Sequence, residues 1–189
     1  MDEETSVVWI DLLHLMLQGV ILAAVLAMLL MNPLKTQADQ SPGQMKIELR
    51  WEGDNDVDLW TLAPGAKSAV GYSHKTDHGM ALLRDDLGPS ADADSLDYEI
   101  ATAMIVRPGL YVVNAHLFRN RDGVFPVHLR LKVSILPNGA RDWVQIASLT
   151  PTLLREGQEL TLIRFRLDDK GQLIQGSEND LPTQLRSAS

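Results

Sequence analysis

The chain has 189 residues, a formal net charge of −8 and no cysteine. That length suits one domain of ordinary size plus an appendage. Without cysteine there are no disulfides, thiolate metal sites or cysteine nucleophile. An acidic balance with no basic block argues against nucleic acid as a main partner, because phosphate binding relies on clustered Lys and Arg.

After a short acidic tail over residues 1–6, residues 7–31 read VVWIDLLHLMLQGVILAAVLAMLLM, and Asn32-Pro33 closes the run. At about 1.5 Å of rise per residue, such a helix is long enough to cross a ~30 Å hydrocarbon core. The tail carries no positive charge and the apolar run is about twice the usual signal-peptide core, so the pattern predicts a retained transmembrane helix. Asp11, His14 and Gln18 interrupt it. Their i, i+3, i+7 spacing places them in a narrow arc on one helix face. A carboxylate at the bilayer centre costs about 2.5–3.5 kcal/mol on insertion scales and normally faces a bundle interior or water. Two readings follow. Asp11 carries an ion on a helix packed inside a partner's helices, with His14 and Gln18 extending a polar transmembrane seam, or Asp11 is simply hydrated in the headgroup region.

The acidic tail, Trp9-Ile10-Asp11-Leu12-Leu13, the Leu/Met-rich run and Pro33 resemble the N-terminal helix of the ExbD/TolR family. Its members are small, MotB-related subunits of ion-driven inner-membrane motors. The resemblance covers roughly residues 2–33. It implies a single-pass protein of the bacterial inner membrane, with the N-terminus cytoplasmic and the C-terminal domain periplasmic. It also implies Asp11 as the proton- or ion-carrying residue. Two such helices, from a homodimer, would sit inside a pentamer of a multi-helix ExbB/TolQ/MotA-like protein. Charge lends that orientation no support, since Lys35 lies on the C-terminal side. On this resemblance the chain is a motor stator subunit that couples the proton motive force to work on an envelope target, as in protein transport, with no required cofactor. The alternative is a passive, membrane-anchored binding module for an envelope protein or glycan.

Residues 32–44 (NPLKTQADQSPGQ) are polar and carry Pro33, Pro42 and Gly43, which predicts a linker. Strand signals begin at Met45. Met45–Trp51 alternates, with Met45, Ile47, Leu49 and Trp51 on one face, and Val127–Ile135 alternates still more clearly. Further strands are expected over Asp58–Leu62, Tyr98–Val106, Leu110–Phe118, Trp143–Leu149 and Leu160–Leu167. Breakers such as Pro64-Gly65, Pro108-Gly109, Asp122-Gly123, Pro137-Asn138-Gly139 and Asp169-Lys170-Gly171 separate them. The expected fold class is therefore mainly β: one N-terminal transmembrane helix and then an antiparallel β-sandwich over residues 45–176. Residues 177–189 are expected to be a disordered tail. The stretch LRWEGDNDVDL (Leu49–Leu59), then Arg84-Asp85-Asp86-Leu87-Gly88-Pro89, then Pro108-Gly109-Leu110-Tyr111-Val112-Val113 resemble, in that order, a family of bacterial envelope β-sandwich domains. That resemblance implies the fold and no activity.

Asp54, Asp56 and Asp58 stand at alternate positions, so a strand would place them on one face, and with Asp85 and Asp86 they offer the oxygen ligands Ca²⁺ prefers. An EF-hand is excluded, because Leu59 stands where its glycine is needed. The competing reading is a strand edge kept soluble by charge. His74 and His78 lack a third ligand and read as surface histidines. Trp51, Trp60 and Trp143 read as core or interface residues. With no nucleophile elbow and no phosphate loop, the chain is expected not to be an enzyme.

Overall fold

The computed structural model describes residues 3–31, 43–86 and 97–186, and the chain divides into two units, Met1–Gln40 and Ser41–Ser189. Residues 32–42 of the predicted linker, residues 87–89 of the Arg84–Pro89 stretch and residues 187–189 of the predicted tail lie outside the described residues. The first unit holds α1 (Glu3–Met31). Leu, Ala and Met, all good helix formers, fill about half of it. Residues 7–31, predicted as a span, are helical. Among the described residues, no helix is long and apolar enough to cross a membrane.

Ten strands follow among the described residues: β1 (Met45–Trp51), β2 (Asn55–Leu62), β3 (Thr76–Asp77), β4 (Met80–Arg84), β5 (Tyr98–Ala103), β6 (Gly109–Asn120), β7 (Val127–Ile135), β8 (Val144–Leu149), β9 (Thr152–Leu153) and β10 (Glu159–Leu167). Period-two patterning drives β1 and β7 into the centre of the larger sheet: every apolar residue named above on them is buried. They pair from Met45↔Ile135 to Trp51↔Leu129. The order in this sheet is β3-β4-β5-β1-β7-β8, with β9 pairing β7, and the smaller sheet runs β10-β6-β2. All strand pairs are antiparallel. One apolar cluster draws Ile47, Leu49, Leu131 and Val133 from the larger sheet and Val57, Leu59, Tyr111 and Phe165 from the smaller. Burying a side chain of this kind contributes about 1.5–3 kcal/mol.

Two ties brace the sheets. The Tyr111 hydroxyl accepts from the Arg107 N–H at 2.8 Å and donates to the Arg107 carbonyl at 3.0 Å, a tyrosine corner at the start of β6. Gly109 between them has φ of 126°, and a Cβ there would lie 2.8 Å from Pro64, so this turn requires glycine. At the start of β1, the Gln44 N–H donates to Ala103 O at 2.8 Å and the Gln44 carbonyl accepts from Leu136 N–H at 2.7 Å. The Gln44 side chain accepts from the Val106 N–H at 3.1 Å and donates to Asn138 at 3.2 Å.

Residues 177–186 correct the expectation of a disordered tail. The Asn179 backbone exchanges hydrogen bonds with Arg164. Thr183 accepts from Asn114 Nδ2 at 2.7 Å and donates its N–H to Thr161 Oγ1 at 2.9 Å. Leu185 N–H donates to Glu159 at 2.8 Å. Asp58, Trp60, Asn114, His116 and Thr161 alternate with core residues and so face outward, yet all are buried. The segment docks through its backbone and polar side chains. It therefore carries no apolar periodicity for a sequence reading to detect.

Candidate functional site

Helical winding brings Asp11, His14 and Gln18 onto one face of α1, as their spacing predicts, and all three are exposed. The apolar residues are exposed too: Trp9 64 %, Leu15 67 % and Leu22 70 %. A helix that exposes this much apolar surface is ordinarily covered by a membrane or by other protein.

The five aspartates occupy separate settings. Asp54 is exposed in the turn before β2, so it does not share a strand face with the others. Asp56 and Asp58 do. Burial raises the Asp56 carboxyl above its usual value, the charge of Asp58 adds to this, and Arg121, 3.7 Å away, and Arg119 oppose it. Asp58 is buried, 2.8 Å from His116 Nδ1. Asp85 pairs with Lys75 at 3.0 Å. Asp86 is buried, accepts the Tyr98 N–H at 3.2 Å and lies 3.5 Å from Arg84. Four of the five carboxylates therefore already face a cation, a histidine or a backbone donor. Among the described residues, no three or more His, Asp or Glu side chains come together as a metal-holding group. His74 and His78 are exposed, Trp51 and Trp60 are buried, and Trp143 is exposed.

Two features escape the sequence reading. Glu99 is 1 % exposed, and its carboxylate accepts the Leu59 N–H of β2 at 2.7 Å and the Asp86 N–H at 3.4 Å. Burial raises this carboxyl well above the usual 4.5; the Leu59 N–H opposes that, while Asp58 and Asp85 add to it. Its one sequence signal is position: Glu99 alternates with Ala101 and Ala103, on the inward side of β5. The second feature is a relay across the smaller sheet. Arg186 contacts His116 Nε2. A guanidinium only donates, so Nε2 accepts and Nδ1–H donates to Asp58. No local pattern joins residues this far apart in the chain.

No family model matches the chain, and no curated protein or solved structure matches it.

Proposed function

We propose that this chain is the Asp-bearing small subunit of an ion-driven inner-membrane motor, with α1 as its single membrane span and the β domain reaching an envelope target in the periplasm. The observation that carries this reading is α1 itself: a 29-residue helix, uncovered on its described apolar sides, with Asp11, His14 and Gln18 along one face. Lipid can cover the apolar sides but not a carboxylate, which needs a protein interior or a water path. The resemblance of residues 2–33 to the ExbD/TolR helix supplies the partner: a pentamer of a multi-helix membrane protein around two copies of α1. Losing a proton from Asp11 switches its attraction to polar groups of that pentamer. The helix pair then shifts, and the β domain passes the movement on.

The test is Asp11→Asn in the complete complex reconstituted in vesicles. Ion flux falls to background while insertion and complex assembly stay at wild-type levels, and Asp11→Glu keeps part of the flux. Wild-type flux from Asp11→Asn would remove the ion-carrying role and leave the passive anchored binding module as the function.

A further inference from the structure

The outer face of the larger sheet is cationic in an acidic protein. Lys46 and Arg50 on β1 and His128, Arg130 and Lys132 on β7 share it, with Glu48 and, just past β1, Glu52 as counter-charges. Arg50 and Arg130 are direct cross-strand partners. Like charges placed opposite one another destabilise a sheet, and local conflicts of this kind are expected at functional sites. The row continues sideways: the guanidinium carbons of Arg84 and Arg50 lie 4.1 Å and 5.1 Å from the centre of the Tyr98 ring.

Around Arg50 and Arg130 the face hollows into a cleft of about 380 Å³, lined by Arg50, Glu52, His128, Arg130 and Thr150 beside the buried Trp51 and Leu129. Its two counter-ions differ in kind. Glu48 is buried and engages both Lys46, at 2.9 Å, and Arg50, so it belongs to the sheet. Glu52 reaches Arg130 at 2.8 Å from a side chain that is 73 % exposed, and Arg130 is itself 69 % exposed. Such a pair contributes little and is readily exchanged.

The geometry points to a docking cleft for an acidic segment of a partner protein, in which a Glu or Asp carboxylate of the partner takes the Arg130 fork in place of Glu52. Arg50, His128 and the Thr150 hydroxyl flank that carboxylate. Glu52 is the internal stand-in, balancing the opposed arginines until the partner arrives. A guanidinium and a carboxylate match as a two-bond fork. A concave cleft sized for a side chain fits a protein segment better than the flat surface of a bilayer. This inference concerns the β domain alone and stands whether or not Asp11 carries ions.

The test titrates the full chain in neutral detergent micelles with fluorescein-labelled hexaglutamate, read by anisotropy. Wild type binds saturably; Arg130→Ala weakens binding about tenfold and Arg130→Lys, which keeps the charge but loses the fork, recovers only part of that. Glu52→Gln strengthens binding about threefold, whereas Glu178→Gln, an equal charge change on the C-terminal segment, leaves it near wild type. Overlapping melting curves for the variants establish that all are folded. Absence of saturable binding, an unaffected Arg130→Ala, or equal gains from Glu52→Gln and Glu178→Gln would overturn the proposal. So would displacement of the peptide by inorganic phosphate at matched ionic strength, which would make the face a general anion surface.

Discussion

On the smaller sheet the outward residues Asp58, Asn114, His116 and Thr161 are buried, and each has a partner, while on the larger sheet Arg50, His128, Arg130 and Lys132 lie toward solvent. Both faces are polar. What separates them is the C-terminal segment, which lays its own backbone across the smaller sheet, while among the described residues no such segment crosses these positions of the larger one. A polar sheet face can be buried when a neighbouring backbone supplies donors and acceptors in register, because buried polar groups must be paired. Where the chain supplies no such cover, charged residues are left for water or for another molecule.

That contrast breaks most sharply at Asp58. Asp58→Ala leaves the buried His116 Nδ1–H without its acceptor and is expected to cost about 1–3 kcal/mol in guanidinium unfolding; a loss near that of an exposed pair would mean the face is only loosely covered. Arg186→Ala strips the donor from His116 Nε2 and should cost about 1–3 kcal/mol, with faster hydrogen exchange across 179–186 as the local sign. Glu99 adds a pH dependence. Its folded value is raised above 4.5, so the folded protein holds a proton that the unfolded chain has lost. The stability this confers is complete below that unfolded value and is lost as pH rises through the folded one. Urea unfolding midpoints should therefore fall over that window in the wild type and flatten in Glu99→Gln. Smallest of all, Arg130→Ala on the bare face should change stability by less than about 1 kcal/mol. A larger loss would make Arg130 a structural residue and undo the contrast between the faces.

How much of this was legible in the sequence follows the physics of each element. β1 and β7 were read to the residue, because a half-buried strand writes its burial as alternation. Turn glycines at Gly65, Gly109, Gly139 and Gly171 all take positive φ, as their Pro-Gly, Asn-Gly and Lys-Gly contexts suggested. β2 begins at Asn55 rather than Asp58 because Asp56 pairs opposite Arg119, where a bulge accommodates acidic residues that read as turn. β3 and β4 were not read at all: the first is two residues long, and the second is only five, partly exposed and interrupted by a register shift at Leu82/Arg84. For the candidate sites, helix periodicity gave the α1 seam directly. The aspartates could be seen as a cluster, but their partners Lys75, Arg121 and His116 lie far along the chain and leave no local pattern. The cationic cleft was hidden for the same reason: Arg50 and Arg130 meet only through strand pairing.

The position of Gln44 has a mechanical meaning. It sits at the head of β1, the strand flanked on both sides by β5 and β7, and it is held by four hydrogen bonds of its own. A pull applied at Gln44 would therefore act along a central strand. Its two ladders are loaded in shear and share the force at once, instead of opening one bond at a time as a peeled edge strand would.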